Sequence, residues 1–231
     1  MNTNHVTSLV IVSLLTLMSQ MAFAQTPNLD NVSVTQIDGL TIERAVFDSS
    51  RNLIYATVPS DGAPFPNGNS IAVIDPLTRD FSFVRGAGSD PNVIAISDDN
   101  SIVYFGVDGA SGFRSFNPET LQFGAIQALE GADIVEDLAI RPGSPGTVIV
   151  AADAIGSSGS GDLQTFNENG LVSTASVFQR AESIEFLDSD TLVGFRNSSS
   201  GFTLTRFDVD DTSIVVEDSA NGLLTGGGHN N

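Results

Sequence analysis

Short apolar segments separated by polar turns recur four times along this chain, and this repeat constrains the fold more than any other feature. Each copy begins with a segment ending in a large apolar residue, and these residues follow one another after 49, 44 and 46 positions. They are Phe47, Ile96, Ile140 and Phe186. Short runs rich in Val, Ile, Phe and Tyr, bounded by Gly, Asp, Asn and Pro, are typical of β-strands. The sequence therefore predicts four similar units, each with four strands.

The clearest copy spans Pro91–Ile126, where Ser97-Asp98-Asp99-Asn100 separates the first two strands. Its third strand ends at Asn117-Pro118. An Asp or Asn at this point caps its own turn, and Pro presets the next backbone dihedral. The corresponding residues of the other copies are Asp75, Asn167 and Asp208. No helical periodicity of useful length follows the N-terminal segment.

A four-stranded unit of about 40 to 50 residues, repeated along an all-β chain, is the signature of a β-propeller. The predicted fold class is therefore all-β, a propeller with about four visible blades in an incomplete or open ring. The predicted domain spans 25–231, with blades at about 43–84, 92–126, 135–173 and 182–217. Residues 218–231 are predicted to be a tail or the start of a further blade.

Three segments carry a resemblance to known proteins. Asn69–Pro76 (NSIAVIDP) and Pro91–Phe105 (PNVIAISDDNSIVYF) resemble the YVTN-type and WD40-like propeller repeats of exported bacterial proteins. Arg141–Val150 (RPGSPGTVIV) is similar to a segment of such proteins. The resemblance covers about 46–216 and implies blade geometry, but its motifs carry no chemistry.

Closure of the ring is open to three interpretations. Val32–Ile37 has the alternation of a strand that would complete the last blade, yet that blade already has its own fourth strand at Ser213–Glu217. The chain could form a closed four-bladed ring with a spare strand, an open arc that pairs with a second chain, or the front of a longer protein. We favour the last, because an open arc exposes edges and faces that promote association.

The N-terminal segment predicts export. Leu9–Met18 is an apolar core, and Ala22-Phe23-Ala24 is a small-residue cleavage site, so residues 1–24 are interpreted as a signal peptide. No later apolar run is long enough for a membrane span. The expected location is periplasmic or extracellular.

Charge limits the partners. The chain has 28 acidic residues against nine basic ones, a net charge of −19, and every basic residue is Arg. Nucleic acid and anionic surfaces would be repelled, whereas cations and basic surfaces would be attracted. The simpler interpretation, which we weight more, is that the charge keeps an exported protein soluble.

Missing residue types exclude several chemistries. The chain has no Cys and no Lys, so disulfides, thiol nucleophiles, Schiff bases and phosphate-binding Gly-Lys loops are excluded. After residue 24 the single histidine is His229, two residues from the C-terminus, which argues against a Ser-His-Asp triad and against His-ligated zinc, iron or copper. Gly156–Gly161 is predicted to be a flexible loop.

The first strands offer a candidate metal site. Four positions before each shared apolar residue stand Glu43, Asn92, Glu136 and Glu182. A propeller's first strands line its channel, so these oxygen ligands would face the axis near one mouth and could hold Ca²⁺. The competing interpretation, which we favour, is that they are solvated acids. Asp90, Asp137 and Glu185 lie close by in the sequence.

The first functional hypothesis is a noncatalytic exported scaffold that binds a protein or small-molecule ligand through one loop-rich face. The loops between second and third strands differ most in length and composition; they are Pro59–Asn69, Asp108–Gly112, Ala152–Gly161 and Arg196–Gly201. The alternative is a calcium-dependent propeller hydrolase or lactonase that uses the channel-mouth carboxylates. No catalytic residue is assigned, no cofactor other than calcium is considered, and self-association through open blade edges is a further expectation.

Overall fold

The computed structural model describes residues 36–62, 66–153, 161–177, 181–198 and 201–222. Within them lie sixteen strands and one 3-10 turn at Asp108–Ala110. In chain order the strands are β1 (Ala45–Asp48), β2 (Leu53–Val58), β3 (Ser70–Ile74), β4 (Phe81–Arg85), β5 (Pro91–Ile96), β6 (Val103–Val107), β7 (Gly112–Asn117), β8 (Gln122–Ala128), β9 (Ile134–Ile140), β10 (Val148–Asp153), β11 (Gly161–Asn167), β12 (Gly170–Val177), β13 (Ser183–Phe186), β14 (Thr191–Ser198), β15 (Gly201–Val209) and β16 (Ile214–Gly222).

The strands form four separate antiparallel sheets, each made of four consecutive strands in chain order. These sheets are blades 1 to 4, and the fold is an all-β propeller arrangement as predicted. The four apolar residues that define the repeat occupy the same register position, because each pairs with a residue at or near the start of its blade's second strand. The pairs are Phe47 with Ile54, Ile96 with Val103, Ile140 with Val148, and Phe186 with Leu192.

In three blades the third strand ends at a turn that is capped by an Asp or Asn side chain, as expected. The Asp75, Asn117 and Asn167 side chains each accept a backbone N–H from the residue two positions on, at 2.8 to 2.9 Å. Blade 4 differs, because β15 continues through Asp208 and the turn is capped by Asp210 instead. Its hairpin is therefore longer than the sequence indicated, and β16 runs to Gly222, so Asp218–Gly222 belongs to the sheet rather than to a tail.

Neighbouring blades pack face to face around their first strands. β1 lies beside β5, β5 beside β9, and β9 beside β13. Three apolar clusters fill the interfaces between blades 1 and 2, 2 and 3, and 3 and 4. Burial of a large apolar side chain stabilises a fold by about 1.5–3 kcal/mol, so these interfaces are the main cohesive element.

The four blades form an open arc. Among the described residues, no apolar cluster joins blade 4 to blade 1, and no comparable contact links β13 to β1. The free face of blade 1 is nevertheless buried, and Ile37, Leu40 and Ile42 pack against it. The free face of blade 4 is not: Phe195, Phe202, Leu204 and Val215 are 36–56% exposed.

Some sequence expectations fall elsewhere or outside the described ranges. The signal peptide, the Gly-rich loop except Gly161, and His229 lie outside them, as does the predicted leading strand apart from Gln36 and Ile37, which are not in a strand. Phe47, one of the four apolar residues that define the repeat, is 51% exposed. It pairs with Ile54, whose side chain belongs to the apolar cluster on the free face of blade 1, so Phe47 faces away from blade 2.

Turns at the far end of the arc, opposite the channel mouth, join each blade to the next, and between blades 2 and 3 the Gly143 N–H donates to Asp98 Oδ2 at 3.0 Å. Arg51 of blade 1 donates to the carbonyl oxygen of Asn100 in blade 2 at 3.1 Å. Arg141 of blade 3 forms ion pairs with Asp190 and Asp211 of blade 4 at 2.8 and 2.5 Å. These contacts set the angle between blades at their exposed end.

Candidate functional site

A β-bulge places the predicted site residues at equivalent positions. In blade 3, Glu136 is the extra residue, since its two neighbours pair with successive residues, Ala151 and Ala152. In blade 2, Asn92 and Val93 together lie opposite Gly106. A bulge bends the strand and re-aims its side chains, which suits the rim of a channel.

In blades 1 and 4, similar backbone hydrogen bonds to the second strand hold the equivalent residues. The Glu43 N–H donates to the Thr57 carbonyl at 2.9 Å, and the Thr57 N–H donates to the Arg44 carbonyl at 3.0 Å. The Glu182 N–H donates to the Phe195 carbonyl at 2.8 Å. Glu43, Asn92, Glu136 and Glu182 therefore share one structural position, at the start of the four inner strands.

Asn92 acts as a tie between three blades. Its side-chain amide donates to Asp108 Oδ1 at 2.9 Å and to the carbonyl oxygen of Val135, in blade 3, also at 2.9 Å. Its own carbonyl oxygen accepts the hydroxyl of Thr57 from blade 1. Both side-chain donors of Asn92, a predicted calcium ligand, are thus used in hydrogen bonds, one within blade 2 and one to blade 3.

The remaining amide oxygen of Asn92 faces Gly106. It is buried without a hydrogen-bond partner, and it lies against the backbone of Gly106, where a Cβ would overlap it. Only glycine leaves room for this amide, which explains the residue at position 106.

The carboxylates of the predicted set do not gather around a point. Within the described ranges, no three Asp, Glu or His side chains come close enough to hold a metal ion. Glu43 is exposed, whereas Glu136 and Glu182 are half-buried and have interactions of their own. The calcium site at these four residues remains a prediction.

Two acidic residues that the sequence did not identify as contacts between blades complete this network. Asp137 of blade 3 accepts the Ile184 N–H of blade 4 at 2.8 Å. Asp108 accepts, besides Asn92, the Val135 N–H at 3.4 Å. The sequence placed Asp137 beside the candidate residue Glu136 and Asp108 at the start of a loop, but it did not indicate which blade each side chain contacts.

The electrostatics at this mouth are unfavourable to further negative charge. Burial raises the pKa of Asp108, and repulsion from Asp90 and Glu43 adds to it, while hydrogen bonds from Val135 and Asn92 oppose the shift. Burial likewise raises the pKa of Glu185, with Asp137 adding repulsion. A positive group would relieve this repulsion.

The loops at the mouth bond to each other and form one surface, which we call the loop face: residues 59–62, 66–69, 86–90, 108–111 and 129–133. The Ser60 N–H donates to Asp90 Oδ1 at 3.0 Å, and the Asp90 N–H donates to Asn69 Oδ1 at 2.9 Å. The Gly109 N–H donates to the Ser89 carbonyl at 3.1 Å. Loops of blades 1 and 2 are therefore held in a fixed arrangement.

Comparisons with solved structures support the fold. Hydrazine synthase of Kuenenia stuttgartiensis superposes with a TM-score of 0.64 at 13% identity, over 84% of this chain and 52% of that one. The WD40 repeats of RRP9 superpose with a TM-score of 0.56 at 16% identity, over 77% of this chain and 53% of that one. A chain of the nidogen/laminin complex gives a TM-score of 0.60 at 11% identity, over 84% and 70%.

This chain therefore spans about half the length of the first two structures. No protein-family model matches it, and no curated protein matches it either. Within the described ranges, no helix has the length and apolar character that crossing a bilayer requires. At these identities the likeness concerns the fold alone: four four-stranded blades arranged as in a β-propeller, including the WD40 kind.

Proposed function

We propose that this protein is an exported, noncatalytic binding scaffold whose loop face recognises a partner with a basic surface. The observation that carries the proposal is the set of hydrogen bonds between loops of neighbouring blades. Loops held in this way lose little conformational freedom on binding, which favours recognition. Propeller neighbours of the WD40 kind are consistent with a scaffold for protein binding.

The charge of the loop face supports a basic partner. Asp61, Asp90 and Asp133 are exposed on it, and the chain as a whole carries −19. Opposite charge speeds encounter and selects among partners, more than it adds affinity. Burial raises the pKa of Asp108, and repulsion from Asp90 and Glu43 adds to the shift, so a cationic group of a partner would be stabilised here.

A noncatalytic role is supported by what the polar groups at the mouth do. Asn92, Asp108 and Asp137, which would be candidates for catalysis or metal binding, instead hydrogen-bond the backbone or side chains of the same or the next blade. These bonds occupy both side-chain donors of Asn92 and both carboxylate oxygens of Asp137.

Export and self-association are further parts of the proposal. The N-terminal pattern supports cleavage after Ala24, which mass measurement of the protein recovered from the cell envelope or medium would test. The exposed apolar face of blade 4 supports association with another chain, because the opposite end of the arc has Ile37, Leu40 and Ile42 packed against its free face, whereas Phe195, Phe202 and Leu204 are 36–44% exposed.

Site-specific photo-crosslinking tests the binding face. A photoreactive residue is placed at Asp61, Ser89 or Asp133 on the loop face, or at Ser50, Glu119 or Asn169 at the far end, all of them exposed. In the cells that make the protein, we expect adducts of discrete mass from the loop-face positions only. Equal labelling at both ends, or adducts from the far end alone, would contradict the proposal.

A further inference from the structure

A cleft of about 230 Å³ opens between blades 2 and 3, on the side of the arc away from the loop face. Its floor is apolar and buried, made by Phe113, Val148 and Phe166. The other lining residues are Tyr104, Ser115, Ala125, Gln127, Gly146, Asn167 and Glu168. An apolar floor with a few polar groups around it is the usual composition of a small-ligand site.

The matching gap between blades 1 and 2 is closed by aliphatic residues. There, Val73 pairs with Tyr55, and Val84 pairs with Ile71. Both valines pack against the buried cluster of that interface.

In blade 2 the corresponding residues are polar. The partner of Tyr104 is Ser115, and the partner of Phe113 is Gln127. At the same two register positions, a hydroxyl and an amide thus stand in place of two valines, and both side chains line the cleft between blades 2 and 3.

The opposite wall of each gap is formed by the next blade, and it also differs between the two gaps. In the closed gap, Phe123 pairs with Phe116, packs edge-on against Phe105 at 5.8 Å, and is covered by the guanidinium of Arg114 at 4.9 Å. Its register counterpart in blade 3 is Leu171, which is 40% exposed. The smaller side chain leaves space that Phe123 fills in the other interface.

The tyrosines at equivalent register positions of blades 1 and 2 differ in their hydrogen bonding. Tyr55 is fully buried, and its hydroxyl donates to Asp48 Oδ2 at 3.4 Å. Tyr104 has the same register position, but Ser97 stands where blade 1 has Asp48, and the Ser97 hydroxyl donates to Asp99 at 2.7 Å. Among the described residues Tyr104 makes no counterpart to the Tyr55–Asp48 bond, and Tyr104 lines the cleft.

Charge selects the ligand class. None of the ten lining residues is positively charged, and the rim carries the exposed carboxylate of Glu168. Aromatic rings attract cations through their faces, and the half-buried ring of Tyr104 lines the cleft, with Phe113 and Phe166 forming its buried apolar floor. The lining therefore suits a positive head group attached to an apolar body and disfavours an anion.

We propose that the cleft between blades 2 and 3 is a binding site for a small organic cation with an apolar body. The apolar body would pack on Phe113 and Phe166, and the positive head would lie near Tyr104 and Glu168. This site lies away from the loop face, so it is independent of the proposed recognition there, and either proposal can fail without the other.

Titration of the isotope-labelled full chain with benzyltrimethylammonium, followed by NMR, tests this proposal. We expect saturable shifts at the amides of Tyr104, Ser115 and Gln127, and none of comparable size with benzenesulfonate. Tetramethylammonium, which lacks the apolar body, is expected to bind at least tenfold more weakly. Equal affinity for the sulfonate, or shifts confined to other parts of the chain, would overturn the assignment.

Variants sharpen the test. Glu168→Gln is expected to weaken binding about two- to fivefold, the range of an exposed charge interaction, whereas Glu119→Gln, an exposed acid in the corresponding turn of blade 2, should leave it unchanged. The double substitution Ser115→Val with Gln127→Val introduces the two valines that stand at these positions in the closed gap, and it should abolish binding. If Glu168→Gln and Glu119→Gln have the same effect, the cation is attracted by net charge alone and the proposal is wrong.

Discussion

The side-chain amide of Asn92 lies 2.9 Å from the carboxylate of Asp108, and this pair joins the second blade to the third. The same amide reaches the Val135 carbonyl, and the same carboxylate accepts the Val135 N–H. A pair of side chains from one blade thus satisfies both backbone groups of one residue in the next. Buried backbone groups must be satisfied, so this contact controls how the two blades meet.

Removal of the amide is expected to destabilise the arc. Asn92→Ala removes the side-chain donor to the Val135 carbonyl and leaves Asp108 with the weaker Val135 N–H bond at 3.4 Å, and loss of a buried partner costs about 1–3 kcal/mol per group. We expect the free energy of unfolding in urea to fall by about 2–3 kcal/mol. Glu43→Ala changes the exposed residue at the equivalent position of blade 1 and should stay within about 0.5 kcal/mol. Equal effects of the two changes would show that Asn92 is not a tie.

Space beside Asn92 permits only glycine at position 106. In Gly106→Ala the new Cβ would overlap the Asn92 amide oxygen and lie 2.9 Å from the Val135 Cβ. Overpacking of this kind costs about 1–3 kcal/mol, which a urea unfolding curve resolves. Gly146→Ala is the matched control, since no atom lies within 4 Å of the added Cβ there. Unchanged stability of Gly106→Ala would mean that the bulge can relax.

The charge of Asp108 should make stability depend on pH. Because the pKa is raised in the folded state, the folded protein holds this proton more tightly than the unfolded chain, and stability is lost as the pH rises through the folded-state pKa. Asp108→Asn keeps the Oδ1 acceptor but removes this titration.

We therefore expect Asp108→Asn to be more stable than the wild type at about pH 7, with the advantage shrinking as the pH falls towards about 4. Urea unfolding at both pH values measures it. Asp61→Asn removes an exposed charge from the same face and controls for net charge. A pH-independent difference between Asp108→Asn and the wild type would contradict the assignment.

The free face of blade 4 is expected to drive self-association. Phe195 and Phe202 stack there with ring centroids 6.3 Å apart, beside Leu204. Leu204→Asp should shift sedimentation velocity profiles at high protein concentration towards the monomer. Leu77→Asp provides the control, since Leu77 is 79% exposed in a turn of blade 1. Concentration-independent sedimentation of the wild type would reject association through this face.

Calcium is expected to have little specific effect on stability. A chain with a net charge of −19 will gain some stability from any divalent cation by screening, so magnesium is the necessary control. We expect calcium and magnesium to raise the melting temperature equally. A saturable increase with calcium alone, lost in Glu136→Gln, would establish the predicted site and revive the hydrolase hypothesis.

Local features of the sequence were sufficient for the strands and most of their turns. The spacing of Phe47, Ile96, Ile140 and Phe186 identified four equivalent register positions, because alternation and turn chemistry act over a few residues. Asp75, Asn117 and Asn167 cap their own turns for the same reason. The longer hairpin of blade 4 was not predicted, since Asp208 and Asp210 have equal local capacity to open a turn.

Relations between blades were decided by the tertiary structure alone. Whether Asn92 binds a cation or the Val135 carbonyl depends on how one blade meets the next. Phe47 is exposed because, among the described residues, no other blade packs on its face of blade 1. The cleft behind Tyr104 likewise exists because Ser115 and Gln127 face a wall that Leu171 does not fill. The sequence by itself determined which residues pair within a sheet, and packing between sheets determined which of them became ties, core or binding surface, because those contacts join residues that are remote in the chain.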